Sequence, residues 1–144
     1  MRSSETGHAA CVSAWLDRTI PEPRSVPAAT LLSLFELALT RLWQRAQVTL
    51  GEVTMSAIGD RVLYTAAEQY AVLGSLTVDH GPPSFDELRR QTVHDPAVLH
   101  GAIRYVLVEF LTVVGNLTDE ILTPGLHSEL ARITLDDGAK EAQS

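Results

Sequence analysis

The sequence predicts an all-α protein, a helical bundle of three long helices with two or three short ones. Helical periodicity and helix-capping residues recur along the chain, and no strand-like alternation of useful length interrupts them. With 144 residues, 45% of them hydrophobic, the chain can bury one sizeable core. We expect a single helical domain over residues 27–135. The N-terminal segment 1–26 has room for a short helix around 9–18, and residues 136–144 are expected to form a disordered tail.

The first long helix is predicted over residues 27–49. Pro27 suits the first turn, where the missing N–H of proline costs nothing. Polar residues mark the opposite side of the helix, so it is amphipathic. Its apolar stripe consists of Leu31, Leu32, Phe35, Ala38, Leu39, Leu42 and Trp43.

Two capping patterns predict the next two helices. Thr49 and Glu52 have capping-box spacing and open a second long helix, which Gly74 is suited to close. After a turn-rich connection, Ser84 and Glu87 repeat the pattern and start a short third helix.

The longest helix is predicted from Pro96 to Leu122, with Asp95 as its N-cap. Its apolar arc is wider than one neighbouring helix would cover. We therefore expect this helix to be central in the bundle or shared with another chain. The arc contains Ile103, Val106, Leu107, Val108, Phe110, Leu111, Val113, Val114, Leu117 and Ile121.

The stretch GNLTDEILTPGLHSEL is interpreted as the boundary between two helices. Pro124 cannot continue a helix without loss of a hydrogen bond, so the chain should break near Leu122, with Thr123 as cap of a final helix. Asp119 and Glu120 are expected on the polar side of the preceding helix. His127 is expected at the solvent or at the edge of a contact.

Charge disfavours two classes of partner. The formal net charge is −7, and the densest basic cluster is Arg89 with Arg90. A nucleic-acid duplex or an anionic membrane would require a concentrated positive surface. We expect no nucleic-acid binding and no membrane insertion.

A bacterial cytoplasmic location is expected from composition and from the N-terminal sequence. Ten of the eleven basic residues are arginine, which suggests a GC-rich bacterial genome, and the N-terminal sequence has no apolar run of secretion-signal length. Arg104 and Glu109 interrupt the longest apolar stretch, Ala102–Leu117, so length and charge are expected to exclude a membrane span.

Catalytic and metal-binding patterns are weak. Cys11 is the only cysteine, and no phosphate loop or serine elbow occurs. Asp79, His80, His94 and His100 could form a metal site only by tertiary convergence. We therefore predict a non-enzymatic protein without a metal or cofactor.

Two histidines carry a weak resemblance to phosphate-signalling proteins. His127 in HSELAR resembles the phosphoacceptor box of dimerising sensor-kinase helices, although a serine separates His from Glu and the proline is missing. His100 in HGAIRYV resembles a histidine phosphotransfer helix, although the lysine and glycine expected just after the histidine are missing. No family is assigned on these few residues.

The leading functional prediction is a homodimeric interaction or regulatory module in bacterial cytoplasmic signalling, acting on itself and on another signalling protein. One alternative is a carrier or sensor that binds an apolar ligand or cofactor between its long helices. The other is a histidine phosphoacceptor domain that uses His127 or His100. The candidate interface or ligand residues are Trp43, Tyr70, Tyr105, Phe110 and Leu111.

Overall fold

The structure, a computed structural model, describes residues 2–22, 25–76, 78, 81–90, 95–134 and 137. Its regular elements are all helical, which confirms the predicted all-α class. The elements are α1 (Arg2–Thr19), α2 (Ala28–Leu50), α3 (Glu52–Gln69), a 3₁₀ helix (Ala71–Ser75), α4 (Asp86–Arg90), α5 (Pro96–Leu117) and α6 (Thr123–Ala131). The tail predicted at 136–144 lies outside the described residues, apart from Asp137.

Helix α5 is the centre of the bundle, because α1, α2, α3 and α6 all contact it. Its start is as predicted: the Ala97 N–H donates to the Asp95 carboxylate at 2.9 Å, with Pro96 in the first turn. Its buried residues are Leu99, Ala102, Ile103, Val106, Leu107, Phe110, Leu111, Val114 and Gly115.

Helix α1 is longer than predicted and belongs to the core. It begins at Arg2 instead of near residue 9, and it packs on α5 and α6 with Val12, Trp15 and Leu16 buried. The Trp15 indole N–H donates to the Ile133 carbonyl at 3.0 Å. Because α1 packs on α5, helices of the same chain provide cover for an apolar arc that had suggested a second subunit.

The corner between α2 and α3 differs from the predicted capping box. Helix α2 continues through Thr49 to Leu50, and Glu52 already starts α3, so Thr49 is not an N-cap. The single residue between them, Gly51, has φ +86°, a conformation that glycine adopts without a steric penalty. Helix α3 then ends at Gln69, before the predicted Gly74, because the next residue is extended.

Helix α4 starts as predicted. The Asp86 N–H donates to the Ser84 hydroxyl at 3.4 Å. Glu87 lies in its first turn and accepts from Arg90 at 3.3 Å.

Among the described residues, α5 is the one helix long and apolar enough to cross a membrane. Its 22 residues correct the expectation that length and charge exclude a span. The same length and composition occur in the core helix of a soluble domain. In the structure, α5 is in contact with four other helices, α1, α2, α3 and α6.

Substitution of Leu111 by glutamate tests which side of α5 is buried in the core. The Leu111 side chain is 0% exposed, whereas that of Leu117 on the same helix is 60% exposed. A carboxylate buried without a partner is costly, so Leu111→Glu should lower the free energy of unfolding by about 4 kcal/mol or more. Val98→Glu, at a 44% exposed position on the same helix, is the matched control and should change the free energy of unfolding by about 0.5 kcal/mol or less. Urea unfolding followed by circular dichroism measures both values. Equal midpoints for the two variants would contradict the burial of Leu111.

Candidate functional site

The turn after α5 brings together the polar residues of the candidate site. Helix α5 ends at Leu117, five residues before the predicted Leu122, because Asp119 and Glu120 have φ of +52° and +63°. The Glu120 N–H donates back to the Gly115 carbonyl at 2.7 Å. The two carboxylates therefore lie in a left-handed turn and not on the polar side of a helix, which corrects the prediction.

This turn directs the Glu120 side chain over Gly115. A Cβ atom on Gly115 would lie 2.7 Å from Glu120 Oε1 and 2.9 Å from His8 Nε2. Two consecutive left-handed residues other than glycine each cost about 1–2 kcal/mol. Such conformations persist where the surrounding structure enforces them, and they cluster at functional sites.

Hydrogen bonds connect three side chains in series, starting at Glu120. His8, on α1, is 1% exposed, and its Nε2 lies 3.2 Å from Glu120 Oε1. The other ring nitrogen of His8, Nδ1, lies 2.9 Å from Nε2 of His127 on α6. The two imidazole rings are perpendicular, with centroids 5.0 Å apart. We call this arrangement the Glu–His–His relay: Glu120, His8 and His127.

The chemistry of the three groups assigns the protons. A glutamate carboxylate only accepts hydrogen bonds, so His8 donates to it through Nε2–H. Nδ1 of a neutral His8 ring must then accept, and it accepts from the Nε2–H of His127. Nδ1 of His127 is left with its lone pair.

Burial and the neighbouring His8 ring lower the pKa of His127 below its ordinary value of 6.5, and the Glu120 carboxylate partly opposes them. His127 is therefore a neutral imidazole at neutral pH. Half-buried and hydrogen-bonded, it lies at the edge of a contact, which is one of the two positions that the sequence predicted.

The start of α6 also contacts the relay. The Thr123 hydroxyl donates to Glu120 Oε1. Thr123 is the first residue of α6 and not its cap, since the capping position falls on Leu122, which makes no side-chain cap bond. His127 follows one turn later, where α6 packs on α1.

Sequence reasoning missed His8, which lies in a segment assigned no part in the core. His8 is 112 residues from Glu120 and 119 from His127, so no local spacing connects them. The available signal was indirect: Gly115 inside an apolar helix indicates a close approach by another group.

Three of the five predicted interface or ligand residues are core residues. Trp43 and Phe110 stack at 6.1 Å in the core, and Leu111 is also fully buried, so these three side chains are not surface contacts of the folded chain. Tyr70 and Tyr105 are half-buried with ring centroids 6.0 Å apart. Burial, and more weakly the neighbouring Glu109 carboxylate, raise the pKa of Tyr105.

The contacts of Trp43 bear on the carrier alternative. A Cβ atom on Gly59 would lie 2.6 Å from Trp43 Cζ3, and Phe110 covers another part of the indole. The space between the long helices at Trp43 is therefore occupied by side chains of the bundle.

Of the four candidate metal ligands, only His100 lies among the described residues. Asp79, His80 and His94 lie outside the described residues, and His100 is half-buried on α5. The described part of the chain contains no group of three or more histidine, cysteine or acidic side chains arranged to hold a metal ion. Cys11 is half-buried on α1, where burial raises its pKa and Arg18 partly opposes the rise.

A second candidate surface follows α3 and the end of α5. Val53 and Tyr64 are 84% and 71% exposed, and Leu117 and Ile121 are 60% and 78% exposed. We call the depression between these helices the α3–α5 groove. It is lined by Thr54, Ala57, Ile58, Arg61, Val113, Asn116 and Leu117.

Comparison of the chain with protein families, curated proteins and solved structures finds no match in any of the three. The chain is an all-α bundle with a partly buried Glu–His–His relay where α1, α6 and the α5–α6 turn meet, and with an apolar groove between α3 and α5.

Gly115→Ala should destabilise the protein, because its methyl group would press on both Glu120 and His8. A loss of about 1–3 kcal/mol in the free energy of unfolding is expected from such overpacking. Gly7→Ala is the matched control, since this helical glycine has nothing within 4 Å of its would-be Cβ and alanine favours a helix by about 1 kcal/mol. Urea denaturation measures both. A stabilising Gly115→Ala substitution would show that the site has room for the methyl group.

Stability should depend on pH through His127. Its lowered pKa favours the neutral ring in the folded state, so this contribution is fully present above 6.5 and is lost as pH falls through the lower folded pKa. His8 and Glu120 are the titratable groups that face it. In urea unfolding, the stability advantage of wild type over His127→Gln should shrink between about pH 7.5 and about pH 5. Parallel stability curves would argue against this linkage.

Proposed function

We propose that the chain is a non-enzymatic helical interaction module that acts as a homodimer through α3 and the end of α5. The observation that carries this proposal is the exposure of four large apolar side chains, those of Val53, Tyr64, Leu117 and Ile121. Clustered exposed apolar side chains of this kind mark interaction surfaces on soluble proteins.

The exposed residues of α3 lie along one stripe. At 100° per residue, Val53, Ala57 and Tyr64 fall within about 40° of one another on its outward side. Ala57 also lines the α3–α5 groove with Leu117, so the stripe continues onto α5. A helix face of this kind suits a second helix packed along it.

The charges on α3 favour a second copy of the chain in a parallel arrangement. Asp60 and Arg61 lie on opposite sides of the apolar stripe at almost the same height along the helix. When two identical helices pack in parallel about a two-fold axis, opposite flanks meet, so Asp60 faces Arg61 of the partner subunit twice. Antiparallel packing would place like charges together.

A regulatory role in bacterial cytoplasmic signalling remains part of the proposal. Its support is the acidic, arginine-rich composition and the presence of a surface suited to binding another helix. The apolar-ligand carrier is less favoured, because Trp43 and Phe110 pack directly against each other.

Sedimentation equilibrium at micromolar concentration tests the dimer. Wild type should be dimeric, and Tyr64→Glu or Leu117→Glu should each weaken association by roughly tenfold or more, equivalent to about 1.4 kcal/mol, because a charge would be desolvated in the contact. Val98→Glu is the matched control. Val98 is 44% exposed and lies on α5 about 28 Å from Leu117, at a rise of 1.5 Å per residue.

The charge pair provides a second test, specific to the parallel arrangement. Arg61→Asp should weaken the dimer, since Asp60 would then face a carboxylate. Adding Asp60→Arg should restore association, because the two charges would simply be exchanged. A monomeric wild type, or a double variant no better than the single one, would refute the proposed contact.

A further inference from the structure

We propose that His127 is a phosphoryl-acceptor site, in which Nδ1 is the nucleophile, His8 is the proton acceptor and Glu120 orients and stabilises His8. The proposal goes beyond the dimer and does not depend on it. The relay and the α3–α5 groove share none of their residues.

The geometry is that of an activated nucleophile. Such sites place a nucleophile within hydrogen-bond reach of a base, which a third group holds in position. Here Nε2 of His127 lies 2.9 Å from Nδ1 of His8, and Nε2 of His8 lies 3.2 Å from Oε1 of Glu120. His8 is 1% exposed, so the bundle fixes its ring on all sides.

The backbone supplies a second, independent observation. The chain holds Asp119 and Glu120 in left-handed conformations and keeps Gly115 without a side chain at the point where the carboxylate meets His8. A turn that served only to join two helices could end in glycine or asparagine at no such cost. The backbone strain is explained if the function of the site requires the Glu120 carboxylate at this position.

The transfer step balances within the relay. The Nδ1 lone pair of His127 forms a bond to phosphorus while the bond from phosphorus to the leaving group breaks, and the leaving group departs with that electron pair. The Nε2 proton of His127 moves to Nδ1 of His8. His8 becomes an imidazolium beside the Glu120 carboxylate, which stabilises its positive charge.

Phosphoryl transfer fits this site better than acyl transfer. An acyl group develops an oxyanion that needs hydrogen-bond donors aimed at it. The described residues place only His8 in hydrogen-bond contact with His127. Phosphoryl transfer passes through a loose transition state, so a positioned nucleophile is the main requirement of the acceptor chain. Recognition of the transferring phosphate belongs to the donor.

Phosphoramidate, a small phosphoryl donor, tests the site on the full chain. The phosphorus–nitrogen bond breaks and ammonia leaves, so the donor supplies its own leaving group. His127 should be phosphorylated at least about tenfold faster than His100, which is half-buried on α5 and serves as an internal control. Mass spectrometry locates the acid-labile group, and nuclear magnetic resonance distinguishes Nδ1 from Nε2. The expected product carries it on Nδ1 of His127.

Two variants separate activation from mere exposure. His8→Gln and Glu120→Gln should each slow phosphorylation of His127 by about tenfold or more while leaving the rate at His100 unchanged, since general-base assistance of this kind contributes at least that factor. Unfolding would instead bring both histidines to one common rate. If His8→Gln unfolds, Glu120→Gln decides, because Glu120 is partly exposed and its amide keeps the shape of the carboxylate.

Three results would overturn the proposal. They are equal rates at His127 and His100 in wild type, a phosphoryl group on Nε2 of His127, and an unchanged rate at His127 in the folded Glu120→Gln variant. Leu117→Glu separates this proposal from the dimer, since it should weaken association and leave the rate at His127 unaffected.

Discussion

The burial of α5 is the constraint on which the rest of the structure depends. This helix is apolar around most of its circumference, so its side chains are kept from water only where other helices cover them. Helices α1, α2, α3 and α6 provide that cover. Because α1 comes from the opposite end of the chain, the first helix must pack beside the last two.

That packing also creates the polar site. Once α1 lies along α5 and α6, His8 reaches the end of α5, where a carboxylate and a second imidazole are already close in the chain. A buried histidine is expensive unless both ring nitrogens find partners, and here both do. The apolar core thus determines which polar groups meet, and those groups in turn specify how α1 sits against α6.

Local signals predicted the fold class and several helix ends, whereas tertiary contacts decided the rest. The start of α5 at Asp95 and Pro96 was readable because capping acts over a few residues. The end of α5 was not, because it depends on left-handed conformations at both Asp119 and Glu120, and glutamate is uncommon in that region. The relay could not be predicted either, since His8 is more than 100 residues from both Glu120 and His127.

The hydrogen bond from Trp15 to Ile133 joins residues 118 positions apart, and this separation affects folding during synthesis. Helix α1 is synthesised before α5, α6 and Ile133. Until they appear, the apolar side chains of α1 have no native partners. Long-range contacts of this kind slow folding and leave apolar surface open to aggregation. A nascent chain that has not yet reached Ile133 is therefore expected to be prone to aggregation.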